Sequence, residues 1–196
     1  MENQQQSTTT QSQNFGDLPL LQSGQRTNRK WTSIEEINES LSGKEILLRG
    51  RLCSVRAFSK LAFLILREGY CTVQAVLAKT KEGEISAEML EWTKKISPES
   101  IVDVYGVVLE TKEEVKACTQ SKVEIQISKI YVISRSNPVL PFQLEDASKP
   151  FEQEEVETEE ISAQEGKKES GESKTLRVGL KTRLDNSVID LRTKSS

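Results

Sequence analysis

Residues 46–78 read ILLRGRLCSVRAFSKLAFLILREGYCTVQAVLA. Three strand-like runs lie in this stretch: ILLRGRLCSV (46–55), LAFLILRE (61–68) and YCTVQAVLA (70–78). Residues 56–60 separate the first two and Gly69 alone separates the second two. Both spacings suit hairpins, the second with a very tight turn. Downstream, Ser86–Ile96 has the pattern of a helix centred on Met89, Leu90 and Trp92, and Ser97-Pro98 ends it. SIVDVYGVVLE (100–110) and KVEIQISKIYVIS (122–134) follow as two further strands. The order β-β-β-α-β-β predicts an all-β domain with minor helix, a five-stranded OB-fold barrel with its helix between the third and fourth strands. A small β-sandwich would usually lack that helix and show more strands. Gly50 and Gly106 fall inside strands, where glycine permits the sharp bends of a small closed barrel. Upstream, Ser33 to Glu36 reads S-I-E-E, a capping box, and Ile34, Ile37 and Leu41 follow at helical spacing before Gly43. A short amphipathic helix over Trp31–Ser42 is the expectation.

The flanks have a different composition. Residues 1–28 are rich in Gln, Ser and Thr, with almost nothing apolar before Phe15, and are expected to form a disordered tail. Residues 29–136 make the domain, with 17 basic and 15 acidic groups. Residues 137–180 begin with spaced prolines (Pro138, Pro141, Pro150) and continue as FEQEEVETEEISAQEGKKESGES, the pattern of a solvated hinge. Up to residue 172 that stretch carries 3 basic against 11 acidic groups, a charge that phosphates would avoid. Residues 173–196 reverse the sign, with 6 basic and 2 acidic groups.

Composition excludes several kinds of chemistry. Histidine is absent from the 196 residues, which removes His-based acid–base catalysis, His-containing triads and His metal ligands. Cys53, Cys71 and Cys118 are far apart and form no CxxC, so neither a zinc site nor a disulfide framework is expected. No phosphate-binding GxxxxGK[ST] occurs, and Asn38-Glu39-Ser40 is a glycosylation match of no weight inside a predicted helix. The N-terminus has no basic-then-apolar signal pattern, and no apolar run approaches the roughly 20 residues of a membrane span. A soluble, cytoplasmic chain without membrane contact is the expectation.

Alternation along the strands sorts the side chains into two faces. Leu61, Phe63, Ile65 and Arg67 share one face of the second strand, while Ala62, Leu64 and Leu66 share the other. In the third strand Thr72, Gln74, Val76 and Ala78 oppose an apolar set, and in the fifth Glu124, Gln126 and Ser128 oppose Val123, Ile125 and Ile127. OB-folds bind oligonucleotides on the face of strands two and three. If the Arg67 face is the solvent face, Phe63 lies on it near Gln74, as a stacking platform for an unpaired base. A Gln amide both donates and accepts, as a pyrimidine edge does. Arg56, at the start of the first loop, is placed to meet a phosphate or a base. The plainer readings are core packing for Phe63 and solvated surface for Gln74, Arg56 and Glu124.

The run LRGRLCSVRAFSKLAFLILREGYCTVQAVL resembles the N-terminal anticodon-binding barrel of class IIb aminoacyl-tRNA synthetases. With SPESIVDVYGVV, KVEIQISKIYVIS, LPFQLEDASKP and TRLDNSVIDLRT, the chain is similar to the eukaryotic cytosolic aspartyl branch over roughly residues 30–150 and 181–193. The resemblance implies that Phe63 stacks on the middle anticodon base, a uracil, and that Gln74 hydrogen-bonds the same base. It implies further that Arg56 approaches the anticodon and that Glu124 contacts its end. The family's small hydroxyl contact before the last strand falls near Ala117–Cys118, which departs from the pattern. By the same resemblance residues 181–196 are a stub of a catalytic domain that the chain lacks. No cofactor is then expected here, since ATP and Mg2+ belong with that domain, and the chain is expected to be monomeric and not an enzyme on its own. The implied partner is the anticodon stem-loop of aspartate tRNA, with the full-length synthetase or other proteins of a synthetase complex as further candidates. Two other classes remain open: a fragment of a longer aspartate–tRNA ligase, and a non-catalytic protein-interaction module.

Overall fold

The structure is a computed structural model that describes residues 14–18, 28–79, 85–111, 113–148 and 178–193. Its elements in chain order are β1 (Phe15–Asp17), β2 (Glu45–Ala57), β3 (Leu61–Glu68), β4 (Cys71–Ala78), α1 (Ala87–Lys94), β5 (Ile101–Glu110), β6 (Gln120–Ser134), α2 (Leu144–Ala147), α3 (Leu180–Asp185) and α4 (Ser187–Asp190). The chain divides into two units, residues 1–138 and 139–196.

In the first unit β2, β3 and β4 form an antiparallel meander, as their alternation and short connections require. The turn between β3 and β4 is Gly69-Tyr70, with Gly69 at φ 58°, in the position where tight hairpin turns need glycine. β5 pairs antiparallel with both β2 and β6, and β6 runs parallel to β4. Those pairings close the five strands β2–β3–β4–β6–β5 into a barrel, the predicted OB-fold. Leu48, Leu52, Leu64, Leu66, Val73, Leu77, Val104, Ile125 and Ile127 fill it and are essentially inaccessible to solvent. α1 lies between β4 and β5 and contributes Met89, Leu90 and Thr93 to the buried set. Ser86 caps it by accepting the Met89 N–H at 3.1 Å.

Gly106 shows why a corner needs glycine. A Cβ there would stand 2.4 Å from the Gln126 carbonyl oxygen and 2.8 Å from Ile125 Cγ2. The β5–β6 register shifts at this point, between Tyr105 and Gly106. Gly50 has a looser fit, with the Arg67 carbonyl oxygen 3.2 Å from the same construction.

Two expectations about the first unit are corrected. The amphipathic helix over Trp31–Ser42 is instead two single 3-10 turns, Ile34–Glu36 and Glu39–Leu41. Ser33 makes no cap; its hydroxyl donates to the Glu68 carboxylate at 3.0 Å, and the Ile34 N–H does so at 2.7 Å. A 3-10 turn eclipses residues three apart, so Ile34 and Ile37 both point into the core, and both are fully buried. The second correction is β1, which lies within the stretch read as a disordered tail. It adds to the barrel as a sixth strand, parallel to β6 through Phe15↔Ile130 and Asp17↔Val132. Phe15 meets Trp92 of α1 at 5.4 Å between ring centroids, and Asp17 pairs with Arg135 at 2.9 Å. The remaining tail residues 1–13 and 19–27, and the acidic hinge over 149–177, lie outside the described residues.

The second unit, by itself, shows α2, α3 and α4. Arg183 of α3 is ion-paired to Asp190 of α4 at 2.5 Å, and the Asn186 side-chain amide donates to the Thr182 carbonyl at 2.9 Å. The stretch read as a hinge therefore contains at least the short helix α2.

Candidate nucleic-acid interface

Burial along β3 alternates without a break: Ala62, Leu64 and Leu66 face the core, and Leu61, Phe63, Ile65 and Arg67 face out. β4 repeats the pattern, with Val73, Ala75 and Leu77 inside and Gln74 outside. In β6 Val123, Ile125 and Ile127 point inward and Glu124 outward. The Arg67 face is thus the outer face, and Phe63 is half-buried upon it.

Register brings the four predicted side chains together. Arg56 stands opposite Phe63 across β2–β3, Ile65 opposite Gln74 across β3–β4, and Gln74 opposite Glu124 across β4–β6. Residues directly opposite share a face. The order of strands therefore sets Glu124, Gln74, Phe63 and Arg56 in a stepped row across three strand spacings of about 14 Å in all, with Phe63, opposite Val76, two residues along from the level of Gln74. A bulge between Leu52 and Ser54 returns Arg56 to this face and leaves it exposed. The Gln74 amide nitrogen donates to a Glu124 carboxylate oxygen at 3.4 Å. Glu124 can only accept, so this contact turns the amide nitrogen toward β6 and leaves the Gln74 carbonyl oxygen free to accept elsewhere.

The neighbouring loop is held by a tight exchange. Thr72 donates its N–H to Thr119 Oγ1 at 2.7 Å, and Thr119 donates its N–H to Thr72 Oγ1 at 2.9 Å and its hydroxyl to the Thr72 carbonyl at 3.0 Å. The hydroxyl nearest the Ala117–Cys118 departure is therefore committed to β4. Cys118 itself is buried, which pushes its thiol above the usual value, with a hydrogen bond to Thr72 acting in the opposite sense.

Arg67 shares the outer face but does not join the row. Its guanidinium is ion-paired with Glu99 at 2.8 Å, and both side chains are largely buried. Glu99 lies 32 residues away in sequence and holds a positive φ of 66°. On another side of the barrel Arg49 makes a bidentate pair with the buried Asp103 at 2.6 and 2.9 Å and lies 4.5 Å over the Trp31 ring. The Asp103 hydrogen bond raises the Arg49 pKa further.

Three residues missed in the sequence reading stand at the Arg56 end. Phe58 is exposed and meets Phe63 edge to face, with centroids 6.1 Å apart and planes at 86°. Lys60 and Lys79, both exposed, are adjacent because the Lys79 N–H donates to the Lys60 carbonyl at 2.9 Å. The signal was an aromatic residue inside the polar connection of RAFSKLAF, beyond the reach of strand alternation. No group of three or more acidic or Cys side chains among the described residues is arranged to hold a metal, and none of the described helices is long and apolar enough to cross a membrane.

Residues 46–133 match the OB-fold nucleic acid binding domain family of tRNA anticodon type. The cytoplasmic aspartate–tRNA ligase 1 of Dictyostelium discoideum is 38% identical over 197 residues, covering 91% of this chain and 34% of the relative. The human cytoplasmic aspartate–tRNA ligase is 37% identical over 182 residues, covering 93% of this chain and 33% of the relative. Among solved structures, the aspartyl tRNA synthetase of Entamoeba histolytica superposes with a TM-score of 0.76 at 36% identity, over 92% of this chain and 36% of that one. The chain spans about a third of the length of the curated relatives it matches. With its barrel matching the anticodon-type OB family over residues 46–133 and nearly its whole length aligned to these ligases, the chain corresponds to about a third of a eukaryotic cytosolic aspartyl-tRNA synthetase, the part that carries the anticodon-binding OB domain.

Proposed function

We propose that the outer face of β2–β3–β4–β6 holds the unpaired anticodon bases of a cytoplasmic aspartate tRNA. The observation that carries this reading is the row Glu124–Gln74–Phe63–Arg56, assembled by register from four strands. Single-stranded RNA is read by splaying bases onto aromatic rings and bonding their edges. Phe63 supplies the ring. The Gln74 carbonyl accepts from the N3–H of a stacked uracil while its amide nitrogen, held by Glu124, faces a uracil oxygen. A carboxylate suits an exocyclic amino group, so Glu124 takes the base at the β6 end of the row. Arg56 neutralises phosphate or meets a base at the other end.

In this reading the chain positions a tRNA and makes or breaks no bond. Neither a nucleotide cofactor nor a metal ion acts on these residues in this reading. The test is a fluorescence titration of the whole chain with labelled aspartate tRNA at two salt concentrations, beside a tRNA with its middle anticodon uracil replaced. The native anticodon is expected to bind more tightly, and Phe63→Ala is expected to lose about 1–3 kcal/mol of affinity while its circular dichroism remains that of the folded barrel. Equal affinity for the two tRNAs would overturn the proposal.

A further inference from the structure

Phe58 has no part in the row just described, and the barrel gains nothing by exposing it. Burying a phenylalanine stabilises a fold by about 1.5–3 kcal/mol, yet this residue keeps 58% of its surface in water. The backbone holds it there: its N–H donates to the Leu61 carbonyl at 2.7 Å and closes the β2–β3 hairpin. The other strongly exposed aromatic residues of this unit have reasons of their own. Trp31 lies under the Arg49 guanidinium, and Tyr70, in the β3–β4 turn, carries a hydroxyl for the solvent. The Phe58 side chain has no polar atom.

Its geometry toward Phe63 is specific. The planes stand at 86° with centroids 6.1 Å apart. A base lying flat on one ring is perpendicular to the other, so one base cannot stack on both. The pair is two platforms. Gln74 and Glu124 lie on the β4 and β6 side of Phe63, while Phe58 continues from Arg56 on the β2 side. Around Phe58 the exposed cations Arg56, Lys60 and Lys79 gather, placed to meet the phosphates of a strand that continues in that direction.

We propose that Phe58 is a second stacking platform, for the unpaired RNA base that adjoins the one held by Phe63, on the side away from Glu124. This rests on the reading of Phe63 and Gln74 given above. Stacking is tolerant of base identity, so Phe58 adds affinity and fixes the path of the strand without reading a letter.

The test uses the whole chain and three fluorescent RNA hairpins with seven-nucleotide loops: the aspartate anticodon loop, and the same loop made abasic on either side of the middle uracil. Phe58→Ala is expected to weaken binding of the unmodified loop roughly 5- to 100-fold, and Phe58→Trp to retain it. On one of the two abasic loops, Phe58→Ala is expected to cost nothing further, because the base it would have lost is already missing. Unchanged binding by Phe58→Ala, with Phe63→Ala weakened, would overturn the second platform and leave the Phe63 reading standing. An equal loss on all three loops would also overturn it, since Phe58 would then act only by supporting Phe63. If the unmodified chain fails to distinguish the native loop from one with its middle uracil replaced, the Phe63 reading falls and this proposal with it.

Discussion

At the scale of the residue, the outer face of the barrel is composed by strand alternation and then edited by ion pairing. Phe63, Gln74 and Glu124 reach the outer face because strand alternation puts them there, and alternation needs only the next residue to be known. Arg67 obeys the same alternation and is still withdrawn, because Glu99 from a distant segment captures it. Cys118 is a third case, a side chain whose chemistry is set by burial. The folded state holds the thiol proton more firmly than the unfolded chain does. Between the unfolded and folded thiol pKa values, stability therefore falls as pH rises, and below that window the group contributes no pH dependence. At mildly alkaline pH, iodoacetamide is expected to label half-exposed Cys53 and Cys71 before Cys118, read by peptide mass spectrometry. Labelling of Cys118 first would contradict the burial that shifts it.

At the scale of the element, local sequence signals held where no stronger long-range partner competed. Ser86 caps α1, its hydroxyl oxygen accepting the Met89 N–H. Ser33 has the same local credentials, in a better capping-box sequence, and loses the role because the Glu68 carboxylate offers acceptors to both its hydroxyl and the Ile34 N–H. The capping box describes a helix in isolation, and here the strand beside it decides. The two interior glycines make a graded test of the barrel corner. Gly106→Ala drives a methyl into backbone atoms that cannot turn away, and a loss of about 3 kcal/mol is expected, at the upper end for overpacking. Gly50→Ala has to displace its nearest carbonyl oxygen by only a few tenths of an ångström, and about 1 kcal/mol is expected. For a domain of this size each kcal/mol lowers Tm by roughly 4–8 °C. Thermal unfolding of the two variants that showed equal losses would remove the argument that Gly106 marks the tighter corner.

At the scale of the molecule, the five-strand barrel was legible because its order of elements is short and regular, whereas β1 was not. Three residues, Phe-Gly-Asp, carry no periodicity, and their partners Ile130, Tyr131 and Val132 lie more than a hundred residues away. Composition marks Gln, Ser and Thr as poor core material, but it has no means of seeing that β6 presents an edge and that Trp92 and Arg135 stand beside it. Phe15 is partly buried, so removal of residues 1–18 should lower the stability of the barrel by about 1–2 kcal/mol if the loss is chiefly that of its burial, measured by denaturant titration. No change in midpoint would mean that β1 is not part of the cooperative unit.

The direction of that sixth strand has a mechanical consequence. β1 and β6 run parallel, so a pull on the chain before β1 and an opposing pull on the chain after β6 act along the strands from opposite ends. The ladder is then loaded in shear. The bonds of the Ile130 N–H to Asn14 and of the Leu18 N–H to Val132, together with the Asp17–Arg135 pair, share the load and must yield together. An antiparallel strand at the same edge would be peeled open one bond at a time. Tension carried along the chain is thus resisted at the seam between β1 and β6, and the five strands that carry the row of Glu124, Gln74, Phe63 and Arg56 are shielded from it until that seam gives way.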